Sequence, residues 1–302
     1  MCDRGEYTNG KGGPLPRCAR HPSMRDYACH RPSEGSYMDL QLRGKKAVVT
    51  GGSRGIGKAI ALRLAREGVD VAIGARSEGP LREAAAEIAT ETGRTILPIV
   101  CDTMDGTSVQ RFMERAAAEL GAIHILANSA ARVGGAAGDV EAVAIDDVIH
   151  DFEEKVIGYL RCAREAIPHM KAAGWGRIVN ISGGSGRSPG TQISGGVRNA
   201  ATVNMTKALA NALGSYGVTV NAIYPGGTLT EVILEQRAEQ ARQRGVTLAS
   251  LLEEQASRTL IKYLVTAEDI ANVAVFLCSP LAIGITGEAI AVNGGGSPDV
   301  HF

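Results

Sequence analysis

Thr50-Gly51-Gly52-Ser53-Arg54-Gly55-Ile56-Gly57 follows directly on the apolar run Ala47-Val48-Val49 and opens a helical pattern that continues through Leu64. Glycines at 51, 55 and 57 permit a tight turn, a close approach of backbone to a ligand, and close packing of helix on strand. A helix starting here aims unpaired N–H groups and the positive end of its dipole at whatever lies in front, an arrangement suited to a pyrophosphate. A glycine pattern alone is weak evidence. With a strand before it, a helix after it and a second strand in the right place, it reads as a dinucleotide site lined by Gly51, Ser53, Arg54, Gly55, Ile56 and Gly57.

The second strand, over 69–73, ends in Gly74-Ala75-Arg76-Ser77. A site for NAD places a carboxylate about 20 residues beyond the glycines, where it binds the ribose 2′-hydroxyl. No acid stands here. Arg76 can meet a 2′-phosphate, and Arg54 can reach the same group from the glycine turn, giving charge-assisted bonds that NAD could not use. The expected cofactor is NADP(H).

Further along, apolar strands alternate with helical patterns. Strands are expected over 96–101, 123–127, 177–182, 218–223 and 288–292, with a helix over 80–90. Val109, Phe112, Met113, Ala116, Ala117 and Leu120 mark the buried face of another helix. Short strands separated by helices predict an α/β fold: a Rossmann-type, doubly wound parallel sheet of about seven strands with helices on both faces. No repeat or linker divides it, so residues 38–302 read as one domain. Residues 1–37, rich in Gly, Pro, Arg and Ser, show no apolar period; they read as a disordered extension, or as sequence upstream of a natural start at Met38.

Composition narrows the function. The 302 residues carry 32 Lys plus Arg against 32 Asp plus Glu, so nothing advertises nucleic acid or a charged membrane surface. No run approaches membrane length, the N-terminal stretch lacks the apolar segment of a secretory signal, and a cytoplasmic address is expected. Cys2, Cys18 and Cys29 fall near His21 and His30, but not at paired metal-ligand spacing, so no metal is expected. Cys101, Cys162 and Cys278 lie in apolar patterns and read as small core residues. His124, His150 and His169 have no partner at a telling spacing.

TGGSRGIG at 50–57, Cys101-Asp102, GRIVNIS at 176–182, TKALA at 206–210, VNAIYPGGTLTE at 220–231 and ITGEAIAVNGG at 285–295 together resemble the classical short-chain dehydrogenase/reductases over about residues 43–297. The resemblance implies that Asp102 bonds the adenine amine and that Asn128 lies beside the adenosine ribose. It further implies that Pro225, Gly226, Thr228 and Thr230 hold the nicotinamide half, that residues 229–258 form a helical lid over a small-molecule substrate, and that helices near 145–173 and 196–214 assemble homodimers or homotetramers.

The catalytic end departs from the pattern. Family members relay a proton through a tyrosine, lower its pKa with a lysine four residues on, orient substrate with a serine, and anchor a water with an asparagine. Counting back twelve residues from Lys207 places the tyrosine position at Gly195 and the lysine position at Asn199. The serine position falls at Gly183, or at Ser182 with a one-residue slip, with Ser185 nearby. The asparagine position falls at Lys155, and the family's Asn-Asn-Ala-Gly becomes Asn128-Ser129-Ala130-Ala131. Asparagine and lysine have thus exchanged places at 155 and 199. The expectation is that Lys155 and Asn199 touch each other or the nicotinamide ribose, and that Ser182, Lys155 and Asn199 form the remaining catalytic set. Tyr159 and Tyr224 are the tyrosines that could replace the missing donor. Three readings stay open: an NADP(H)-dependent oxidoreductase with rebuilt acid–base groups, reducing a carbonyl or an imine; a non-catalytic NADP(H)-binding protein, either a sensor or an inactive partner subunit; and a redox-neutral enzyme on the same scaffold.

Overall fold

Seven short runs of Val, Ile, Leu and Ala become strands. They are β1 (Lys46–Thr50), β2 (Asp70–Ala75), β3 (Ile96–Val100), β4 (Ile125–Asn128), β5 (Gly176–Ile181), β6 (Val218–Pro225) and β7 (Ala289–Val292). All pair in parallel, in the order β3-β2-β1-β4-β5-β6-β7. The five inner strands are buried on both faces, while the edge strands β3 and β7 are only partly covered. These positions come from a computed structural model, which describes residues 38–132, 140–188 and 190–297. The extension expected at 1–37, with Cys2, Cys18 and Cys29, lies outside the described residues. The chain divides into Met1–Asp39 and Leu40–Phe302, and the second unit carries the whole sheet.

Helices α1 (Gly55–Arg66), α2 (Glu78–Thr92) and α9 (Ala267–Cys278) cover one face of the sheet, with Ile60, Leu64 and Ile88 buried over β1 and β2 and α9 bringing Ile270 and Val275 over the β5–β7 side. The other face takes α3 (Gly106–Leu120), α5 (Gly158–Ala173) and α6 (Ile193–Leu213), which contribute Val109, Phe112, Met113, Met170 and Leu213. The periodic face expected for α3 is buried except at Ala117, which is half-buried. Asp105 caps that helix by accepting from the Thr107 N–H, and Gly121 closes it at φ 84°, where a side chain would be strained. Cys101, Cys162 and Cys278 are free and buried.

The helix expected through 145–173 is interrupted. α4 (Ile145–Phe152) passes through a π-helical turn, Glu153–Ile157, before α5 begins. Residues 229–258, the expected lid, contain α7 (Glu231–Arg244) and α8 (Leu248–Ala256). No helix among the described residues is long and apolar enough to cross a membrane.

The chain builds β1, β2 and β3 in one direction, then returns to place β4 on the other side of β1. The carboxyl ends of β1 and β4 therefore border the crevice at the switch point, where α/β sheets of this kind hold ligands. Thr50 Oγ1 ties them together, accepting from the N–H groups of Ser129 at 3.1 Å and Ala130 at 3.3 Å.

Candidate active site

The glycine turn fits a dinucleotide on steric grounds. A Cβ on Gly57 would run into the Gly51 carbonyl oxygen, and one on Gly51 (φ 69°) would lie 2.9 Å from the Ala130 nitrogen. These positions hold the α1 start close to the strand ends. Arg54 sits at the N-cap in extended conformation with no side-chain cap bond, so the first amides of α1 face the crevice. Ser53 and Ile56 are half-buried beside it. The Gly55 N–H donates to Glu231 Oε2 at 3.1 Å, and the Thr230 methyl approaches the same glycine. Thr230 is also the N-cap of α7, accepting from the Ile233 N–H. The start of α7 therefore meets the glycine turn, with a carboxylate at the amide that a pyrophosphate oxygen would use.

Arg76 follows β2 with its side chain 60% exposed, and its Nη1 lies 3.6 Å from the buried Glu154 Oε1. Asp102 is half-buried, with Oδ1 accepting from the Met104 N–H, a tight turn that fixes its orientation. Pro225 and Gly226 follow β6; Gly226 donates to the Val292 carbonyl, and a Cβ there would press on the Asn293 backbone. Thr228 Oγ1 donates back to the Gly226 carbonyl at 3.2 Å. Asn128, expected beside the adenosine ribose, ends β4 at the crevice. Register places it opposite Asn180, so its side chain turns inward, fully buried, and its Nδ2 donates to Asn180 Oδ1 at 2.9 Å. Backbone following Asn128, rather than its amide, borders the crevice.

The catalytic candidates converge. Lys155 Nζ donates to Asn199 Oδ1 at 2.7 Å and to the Ser182 carbonyl at 2.9 Å. Asn199 Nδ2 in turn donates to Ser185 Oγ at 2.9 Å. The lysine on one helix and the asparagine on the other thus meet, in a chain that ends on the half-buried Ser185 hydroxyl. Burial lowers the Lys155 amine from 10.5 to about 7, aided by the Arg198 guanidinium and opposed by Glu154. The π turn carries Lys155 into this position; such one-turn widenings recur at functional sites.

Ser182 lies inside the network. Its Oγ is buried and donates to the Asn199 carbonyl at 3.0 Å, so it orders α6 rather than facing the crevice. Gly183 must stay small, because a Cβ there would strike the Asn199 amide. Ser185 holds the outward position that sequence spacing did not single out. An ideal Cβ on Gly195 would lie 3.5 Å from Ser185 Oγ, so this hydroxyl adjoins the place a tyrosine would start. Helix α6 contains no tyrosine, and its one lysine, Lys207, packs against Gly287. Tyr159 is buried with its hydroxyl donating to the Ile181 carbonyl, and burial drives its pKa up. Tyr224 is also buried, under the Arg187 guanidinium at 4.5 Å.

A salt-bridge network braces these parts. Asp151 Oδ1 pairs with Arg132 Nη2 at 2.9 Å and Arg198 Nη1 at 3.4 Å, and Ser194 Oγ donates to Asp151 Oδ2 at 2.6 Å. Glu154 Oε2 accepts from the Arg132 N–H at 2.8 Å. The loop after β4, the π turn and α6 are thereby joined through buried charge.

Doubly wound sheet, glycine turn and the surviving motifs define one class of protein. A family model described as enoyl-(acyl carrier protein) reductase matches residues 51–297. The chain belongs to the short-chain dehydrogenase/reductase family, in its classical form. It is 35% identical to the short-chain reductase protein NovJ of Streptomyces niveus, over 82% of this chain and 92% of that protein. It is 28% identical to the NADPH-dependent reductase BacG of Bacillus subtilis, over 83% of this chain and 97% of that protein. The crystal structure of L-sorbose reductase from Gluconobacter frateurii, complexed with NADPH and L-sorbose, superposes with a TM-score of 0.83 at 30% identity, covering 87% of this chain and all of that one.

Proposed function

We propose that the chain is an NADP(H)-dependent reductase of a carbonyl or imine, with the Ser185 hydroxyl as hydrogen-bond donor and Lys155 and Asn199 behind it. The observation that carries this reading is the unbroken Lys155–Asn199–Ser185 chain at the former tyrosine position. Arg76 and Arg54 would hold the 2′-phosphate, Asp102 the adenine, the glycine turn the pyrophosphate, and residues 225–230 the nicotinamide half. When bound, the cofactor supplies hydride to the substrate carbon.

The protein's part is to orient the acceptor and stabilise charge on its heteroatom. Asn199 donates into the oxygen of Ser185, which leaves the serine hydrogen free for a carbonyl oxygen. Lys155 adds positive charge behind the amide, in a setting where water does not screen it. Its pKa of about 7 keeps a protonated fraction at neutral pH. Ser182 is a positioning residue, fixing the α6 backbone at Asn199. An iminium substrate already carries the charge that protonation would supply, so the same site serves it with less demand on the donor.

Ile145 and Ile149 on α4, with Ile193 and Val197 on α6, expose apolar side chains at helical spacing, which supports a homodimer or homotetramer. Incubation with stereospecifically deuterated NADPH and a panel of ketones, quinones and imines tests the function. Deuterium in a product supports reduction; its absence across the panel removes the proposal.

A further inference from the structure

Helices α7 and α8 border a cleft of about 400 Å³, open to solvent on one side, beside the nicotinamide-side loop. Leu229, Ile233, Leu264 and Val265 give it apolar walls, and Gly184 and Gly226–Thr228 form the end nearest the candidate donor. Two arginines and no carboxylate line it. The arginines differ. Arg258 lies at the rim, 73% exposed, and is paired with Glu254 at 2.8 Å. Arg237 is half-buried, and among the described residues no ion pair involves it.

Two neutral amides hold Arg237 in place. Its Nη1 donates to Gln240 Oε1 at 2.6 Å. With its amide oxygen turned toward the guanidinium, Gln255 accepts from Nε and Nη2, each at 2.7 Å. The helical neighbours three and four residues away, Ile233, Leu234, Gln240 and Ala241, carry no charge. The guanidinium is therefore oriented but not neutralised. Of its five N–H donors, these contacts use three and leave one on each terminal nitrogen, a number that suits a two-oxygen acceptor.

We infer that Arg237 is an anion subsite, and that the substrate carries a carboxylate held there while its reducible group lies toward Gly184 and Ser185. This rests on the reductase reading above, but the subsite can be measured without it. The test uses a series of oxo acids with two to six carbons between ketone and carboxylate, together with the corresponding hydroxy acids, each compared with its methyl ester. Binding is read by saturation-transfer NMR and calorimetry, and reduction by NADPH oxidation.

At least one acid is expected to bind the wild-type protein about ten- to a hundredfold more tightly than its ester, the range of a charge-assisted hydrogen-bond pair. Arg237→Gln should bring acid and ester within about threefold, and NADPH affinity should not change. Gln240→Glu keeps the guanidinium and supplies an internal counter-ion, so it should erase the preference even if Arg237→Gln folds poorly; Arg258→Gln should leave the preference in place. Equal binding of acid and ester by the wild type, no binding of any acid, or a preference surviving in Gln240→Glu overturns the inference. If acids bind preferentially but none is reduced, the subsite stands and the reductase reading fails.

Discussion

Replacing Lys155 by methionine keeps the apolar stem and removes the amine. Burial, then Arg198, pushes that amine from 10.5 down to about 7. Below about pH 7 folded and unfolded chains both carry the charge, and its desolvation opposes folding in full. Between about 7 and 10.5 the unfolded chain retains the proton that the folded chain has released. Unfolding then takes up a proton, so stability rises with pH across this window. Two pH units at roughly 1.4 kcal/mol each, less the part relieved at half titration, give about 2 kcal/mol between pH 7 and pH 9. Lys155→Met has no such gain. It also leaves Asn199 Oδ1 and the Ser182 carbonyl without this donor, at about 1–3 kcal/mol each and independent of pH. Urea unfolding of both proteins at pH 7, 8 and 9 separates the two effects. The buried thiols act the other way near pH 9, but they are common to both chains and cancel in the difference. Parallel pH dependences for wild type and variant would refute the argument, because they would mean the amine keeps its ordinary pKa.

Three other outcomes follow from the site. Arg76→Ala should weaken NADPH about 10- to 100-fold, the loss of a charged hydrogen-bond partner, and leave NADH unchanged; fluorescence titration of both cofactors reads this. Glu231→Gln should tighten NADPH about two- to fivefold, since a carboxylate at the Gly55 amide opposes the pyrophosphate, and the gain should shrink with added salt. Ile149→Asp, which places charge on an exposed apolar stripe, should lower the mass seen by light scattering without lowering the melting temperature of the isolated chain.

The strands were legible to within a residue or two because their signals are local. Runs such as Ala47-Val48-Val49, punctuated by a glycine turn, leave few alternatives. The exchange of lysine and asparagine at 155 and 199 was also visible, as two departures from one pattern, and the structure places the two side chains 2.7 Å apart. Other features depend on geometry that spacing cannot carry. The π turn adds no unusual residue, so a helix expected through 145–173 hid it. Asn128 turns inward because strand register sets it against Asn180, a pairing between segments 52 residues apart. Ser182 and Ser185 are chemically alike, and only the path of the 183–186 loop decides which hydroxyl lies inside. Arg237 was invisible for a similar reason: its missing counter-ion shows only once α7 and α8 lie side by side.

Lys155 is enclosed to within 5% of full burial, yet an amine that titrates near pH 7 must exchange protons with bulk water. Its surroundings have to breathe for that to happen. The widened turn at Glu153–Ile157 is the natural place, because it departs from the regular hydrogen-bond ladder in the segment that carries the amine. The backbone irregularity that delivers the lysine would then also set how quickly its charge follows a change in pH.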